Sequence, residues 1–129
     1  MSAHILMVDD EPDAEELFRQ NFRREIRQGV YVFDFAQSGG EALELLKSEE
    51  TPDVILVLSD INMPGMTGIE LLETIRQQWP DILVFMITAY GDTSTERTVR
   101  EKGASQFLTK PVDFGALKEE LTSIVAEAR

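Results

Sequence analysis

Short apolar runs alternate with amphipathic stretches five times along this 129-residue chain, and that alternation limits its fold more than any other feature. Candidate strands are Ala3–Val8, Tyr31–Ala36, Val54–Ser59, Leu83–Ile87 and Gln106–Thr109. Candidate helices run roughly over Pro12–Arg27, Gly40–Ser48, Gly68–Gln78, Thr93–Lys102 and Asp113–Ala128. The first opens on Asp10-Glu11-Pro12, acids and a proline at a helix start. Its three-to-four spacing predicts burial of Ala14, Leu17, Phe18, Phe22 and Ile26, with Gly29 as the stop. The last helix repeats the pattern with Phe114, Leu117, Leu121, Ile124 and Val125. Strands that alternate with helices in this way predict an α/β fold, a doubly wound parallel sheet flanked by five helices.

Part of the strand order can be read as well. The first, third and fourth strands are continuous apolar runs, as interior strands buried on both faces should be. The second carries Asp34 and the fifth is about four residues long, and charge and shortness both protect a sheet edge. Strands two and five are therefore expected outside. With no repeats or interior linkers, residues 1–129 read as a single domain.

Composition excludes several functions. With 43% hydrophobic and 28% charged residues, the chain has a globular composition. Its longest apolar run, Ile82 to Ile87, is too short to cross a bilayer, and no export signal is visible, so a cytoplasmic protein with no membrane partner is expected. The absence of cysteine rules out disulfides and thiolate metal sites. A net charge of −12 opposes direct nucleic-acid binding by this domain.

In a doubly wound sheet the functional crevice lies beyond the carboxyl ends of the strands. Those ends carry Asp9 and Asp10, Asp60, Thr88 and Lys110. Asp60 stands where the core run Val54–Leu58 meets solvent, ahead of the turn Asn62-Met63-Pro64-Gly65. Two carboxylates about 4 Å apart repel by roughly 4 kcal/mol at an effective dielectric near 20, so a cluster of three requires positive charge. Lys110 supplies one, and a divalent cation is the natural remainder. An all-oxygen donor set favours Mg2+, with Mn2+ possible, over zinc. A hard cation, a carboxylate nucleophile, a lysine and a hydroxyl together describe phosphoryl transfer to Asp60.

Val8-Asp9-Asp10-Glu11, the run Asp60 to Gly68, Ile87-Thr88-Ala89 and Lys110-Pro111 together resemble the receiver domains of bacterial two-component response regulators, including the chemotaxis regulators. The resemblance covers essentially the whole chain and implies a flavodoxin-like sheet of order 2-1-3-4-5. It implies a phosphorelay signalling domain, not an enzyme, that promotes its own phosphorylation and autodephosphorylation. Asp60 matches the phosphoacceptor; Asp10 matches a direct Mg2+ ligand, Asp9 a ligand through water, and the backbone carbonyl of Asn62 the last protein ligand. Thr88 and Lys110 match the phosphoryl-oxygen partners, Phe107 the switch aromatic, and Asn62 and Tyr90 the positions that tune phosphate loss. The Lys110–Pro111 bond is expected to be cis. The implied partners are a sensor histidine kinase or histidine phosphotransfer protein and a downstream effector, reached through the fourth helix, fifth strand and fifth helix. Lys118, Glu119 and Glu120 are candidates on that output face. Two features depart from the family's commonest pattern: Phe22 to Val30 is longer than usual, and Phe107 replaces a tyrosine.

Plainer readings stand beside these. Asp9 and Asp10 can cap the first helix, Lys110 can be a solvated lysine, Thr88 an ordinary strand-end residue, and Phe107 a core aromatic. Trp79 and His4 are read as structural. Arg19, Arg23, Arg24 and Arg27 form either a solvated helix face or a docking surface for an acidic partner. Competing functions are a receiver-like interaction module that takes no phosphate and a haloacid-dehalogenase-type phosphatase. The latter places its nucleophile on the first strand.

Overall fold

A computed structural model of the protein describes residues 3–48, 53–89 and 91–128. Strands β1 (Ala3–Val8), β2 (Tyr31–Ala36), β3 (Val54–Asp60), β4 (Leu83–Thr88) and β5 (Gln106–Thr109) form one parallel sheet in the order β2-β1-β3-β4-β5. The apolar runs that predicted interior strands are the interior strands, and the charged and short ones are the edges. On β2, Asp34 is satisfied by His4 across the strand pair, which gives both polar side chains a structural role.

The described residues form six helices, five between strands and one after β5: α1 (Pro12–Asn21), α2 (Arg23–Arg27), α3 (Gly39–Lys47), α4 (Gly68–Gln78), α5 (Thr93–Glu101) and α6 (Phe114–Ala128). Side chains alternate across the strands to build two cores. Ile5, Met7, Leu56, Leu58, Phe85 and Ile87 pack beneath α1, α2 and α6. Leu6, Val8, Val57, Val84 and Met86 pack beneath α3, α4 and α5.

The expected single helix over Pro12–Arg27 is two, which corrects the count of five. The break falls at Phe22, whose backbone (φ −107°, ψ 16°) leaves the helical region. Its ring is fully buried against Phe18, Tyr31, Phe33 and Phe114, with centroids 5.0–6.0 Å away. Aromatic packing of this kind fixes ring positions tightly, and the backbone bends where Phe22 enters the core. The residues that made Phe22 to Val30 look long therefore form α2, closed by Gly29 at φ 73°. Leu17 is also a correction: at 47% exposure it lies outside the buried stripe, which Phe18 and half-buried Ala14 occupy instead.

Helix α4 starts against the backbone at the end of β3, where Asp60 stands. A reciprocal capping box joins Thr67 and Glu70 at its start. The Gly68 N–H donates to Ile61 O at 2.9 Å. A Cβ on Gly68 would fall 2.1 Å from the Asp60 carbonyl oxygen and 2.8 Å from Ile61 Cα, both backbone atoms with no room to yield. Gly68→Ala is therefore expected to destabilise the fold by about 1–3 kcal/mol, the usual cost of overpacking. Urea unfolding with an unchanged m-value checks this; an unchanged midpoint would refute it.

Candidate functional site

At the carboxyl ends of β1, β3 and β5, three charged side chains meet. Asp9 and Asp60 are both buried, each 6% exposed. Lys110 Nζ lies 3.1 Å from Asp9 Oδ2, 3.5 Å from Asp60 Oδ2 and 3.9 Å from Glu11 Oε1. The backbone aims these groups. The Lys110 N–H donates to Thr88 O at 2.8 Å, which ties the lysine to the end of β4, and the Ile61 N–H donates to Ile87 O at 3.0 Å. The Glu11 N–H donates to Asp9 Oδ1 at 2.9 Å and the Asn62 N–H to Asp60 Oδ1 at 3.3 Å. The Lys110–Pro111 peptide bond is cis, as expected.

One carboxylate oxygen from each of Asp9, Asp10, Glu11 and Asp60 lies within 4.8 Å of all the others. Four hard oxygen donors at this spacing fit a Mg2+- or Mn2+-sized cation. Glu11 is a member that sequence reasoning assigned only to the helix start. Its position directly after Asp9-Asp10 was the available signal, since it places Glu11 on the same rim.

The electrostatics reflect this crowding. Burial pushes the Asp60 carboxyl above its ordinary range and Asp9 pushes it further, while Lys110 and the Asn62 amide pull it partly back. Burial also works against the Lys110 charge, but Asp9, Asp60 and Glu11 outweigh it and hold the ammonium above its ordinary value. A carboxylate held between acids and one lysine is an oxygen nucleophile whose charge needs a cation beside it.

The response regulator receiver domain family model matches residues 5–122. The chain belongs to this family. It is thus a signalling domain of two-component systems, whose general mechanism is phosphorylation on aspartate. It is 42% identical over 116 residues to the response regulator protein PilR of Pseudomonas aeruginosa, a match covering 88% of this chain but 24% of PilR. Sporulation initiation phosphotransferase F of Bacillus subtilis is 34% identical over 92% of this chain and 90% of its own length. Among solved structures, the response regulator TrrA of Thermotoga maritima, in complex with Mg2+–BeF, superposes with a TM-score of 0.76 at 32% identity, over 95% of this chain and 98% of that one. The receiver domain therefore spans about a quarter of the length of several relatives and nearly all of another. None of its helices, among the described residues, is long and apolar enough to cross a membrane.

The other expected site residues of the receiver domain lie around this rim with different degrees of engagement. Thr88 is buried at the end of β4, one residue beyond Ile87, which pairs in register with Asp60. Asn62 is exposed beside the acids. Phe107 is half-buried and packs on the core that also holds Val99. Tyr90 lies outside the described residues. On the expected output face, Glu120 accepts a hydrogen bond from Gln106 at 2.7 Å, and Gln106 in turn accepts one from Arg100 at 3.4 Å, so α5, β5 and α6 are bridged. Lys118 is not free there: its ammonium pairs with Glu25 of α2 at 2.9 Å. Glu119 remains exposed.

Proposed function

We propose that this receiver domain takes a phosphoryl group on Asp60 from a phosphohistidine of a sensor kinase or histidine phosphotransfer protein, or from a small-molecule donor. The observation that carries this reading is the buried Asp60 carboxylate, 3.5 Å from Lys110 Nζ inside a four-acid cluster at the end of a central strand. Asp9, Asp10, Asp60 and the Asn62 backbone carbonyl would hold Mg2+, with Mn2+ as substitute and Glu11 adding charge at the rim. When bound, the cation neutralises charge on the transferring phosphoryl oxygens.

An Asp60 oxygen attacks phosphorus in line; the new O–P bond forms as the donor's N–P bond breaks, and the donor imidazole keeps the electron pair. Lys110 holds one equatorial oxygen by charge and the Thr88 hydroxyl another by hydrogen bond. Water later attacks phosphorus and returns Asp60 as carboxylate, and Asn62 and Tyr90 set how easily that water arrives. The receiver promotes its own phosphorylation and dephosphorylation without turning over an external substrate. The site of action is cytoplasmic, where kinase-derived phosphohistidine is available.

The test is intact mass after incubation with acetyl phosphate or phosphoramidate, with Mg2+ and with chelator. One added phosphoryl group, present only with metal, is expected. No gain from the folded, metal-loaded protein, by small donors or kinase, would leave the phosphate-independent module. Steady hydrolysis of an added phosphomonoester would instead favour the phosphatase.

Phosphorylation replaces the single carboxylate charge of Asp60 with a phosphoryl group carrying nearly two negative charges. Drawing Thr88 toward them opens space for Phe107 to move inward, and the change passes to α5, β5 and α6. Helix α5 suits this role because Val99 is its one buried residue among the described ones. Beryllofluoride with Mg2+ is expected to change amide hydrogen exchange across residues 91–107 by about tenfold, or roughly 1.4 kcal/mol of local opening energy. Unchanged protection there would remove α5 and β5 from the switch.

A further inference from the structure

The exposed charges of the α1–α2 segment are divided along its length. Glu11 at the start of α1 and Asp13, Glu15 and Glu16 within it lie on the first half; Arg19, Arg23, Arg24 and Arg27 lie on the second, where the acid Glu25 is half-buried and paired with Lys118 of α6. Six of these eight side chains, including Asp13, Glu16, Arg23 and Arg27, belong to exposed residues outside the acid cluster at the rim. A groove of about 650 Å³ runs along this segment, lined by Pro12, Glu16, Gln20, Arg23 and Arg27 among others. Arg19 is already engaged, by Glu15 at 3.0 Å and by the Phe35 ring at 4.6 Å. The Arg23 and Arg27 guanidinium groups make no hydrogen bond or ion pair with any described residue, in a chain carrying 24 acids.

We propose that this face pairs with itself, so that its partner is a second copy of this chain laid antiparallel across a twofold axis near Gln20. A twofold interface brings the same patch of both copies together and so requires self-complementarity. The order along the segment supplies it: Asp13 and Glu16 of one copy face Arg27 and Arg23 of the other, twice over. A uniformly acidic partner fits less well, because it meets Glu15 and Glu16 at one end of the groove with like charge. The net charge of −12 opposes association of two copies at long range. At physiological ionic strength the Debye length of about 8 Å screens that repulsion but leaves contact pairs attractive. The exposed Leu17, one turn before Gln20, adds apolar surface beside the axis.

The test is sedimentation equilibrium from micromolar to millimolar protein, without any phosphodonor, so its outcome does not depend on the chemistry at Asp60. Wild type is expected to rise from 14.6 kDa toward twice that mass. Two double variants reverse the halves: Arg23→Glu with Arg27→Glu makes the face wholly acidic, and Asp13→Arg with Glu16→Arg makes it wholly basic. Each alone is expected to stay monomeric over the same range. Their equimolar mixture is expected to form a heterodimer at least tenfold tighter than the wild-type dimer, since every cross-axis pair is then opposite in sign. Far-UV circular dichroism checks that each variant is folded. A monomeric wild type, variants that self-associate like wild type, or a mixture that fails to pair would each overturn the proposal.

Discussion

Asp60→Asn is expected to abolish metal-dependent phosphoryl uptake and, at the same time, to raise the melting temperature of the metal-free protein. The first effect follows from chemistry: an amide oxygen at that position carries no charge to attack phosphorus. The second follows from electrostatics. Burial and Asp9 hold the Asp60 carboxyl above its ordinary value, so the folded protein binds this proton more tightly than the unfolded chain does. Stability from a raised pKa is fully present below the unfolded value and is lost as pH rises through the folded value. Wild type therefore pays for an ionised Asp60 at neutral pH, and asparagine removes that cost. Each kcal/mol relieved is worth about 2–8 °C for domains in this size range. The gain should be largest near neutrality and vanish in acid, where wild-type Asp60 is protonated. Calorimetry across pH with chelator present measures it; a gain equal at every pH would mean that packing, not charge, is responsible.

What the sequence disclosed and what it hid divide along physical lines. Strand order was legible because burial on both faces demands unbroken apolar runs such as Val54 to Leu58, whereas Asp34 can be tolerated only at an edge. The rim of the site was legible because a parallel sheet puts every strand's carboxyl end on one side, so Asp9, Asp60 and Lys110 had to converge once the strands were placed. The break at Phe22 was not legible. No glycine or proline marks it, and its cause is a cluster of rings from α1, β2 and α6 that assembles only in three dimensions. The same holds for Lys118, a candidate for the output face whose ammonium lies against Glu25, far away in sequence. Leu17 illustrates a weaker signal: three-to-four spacing defines a broad arc, and only packing decides which residue at its edge stays wet.

Lys110→Met is expected to lower the melting temperature of the metal-free protein, to enlarge the stabilisation that Mg2+ provides, and to slow phosphoryl uptake by roughly 100-fold. Methionine keeps much of the aliphatic stem, so the substitution mainly removes charge. That charge is the one cation within 4 Å of Asp9 and Asp60 among the described residues. Without it, Asp60 is left beside Asp9 with only the Asn62 amide as compensation. Stranding a buried charge costs roughly 3–5 kcal/mol, and the partial exposure of Lys110 reduces the loss here below that range. A bound divalent cation then relieves more repulsion than it does in wild type, so the Mg2+-induced rise in melting temperature grows even though the starting point is lower. The kinetic loss matches the removal of one charge-stabilising donor from a reacting oxygen, about 100- to 1,000-fold in comparable sites. Thermal unfolding with and without Mg2+, together with the time course of phosphoryl uptake by mass, separates the three effects. If the Mg2+ increment matched that of wild type, Lys110 and the metal would not be neutralising the same carboxylates, and the shared-charge account of this site would fail.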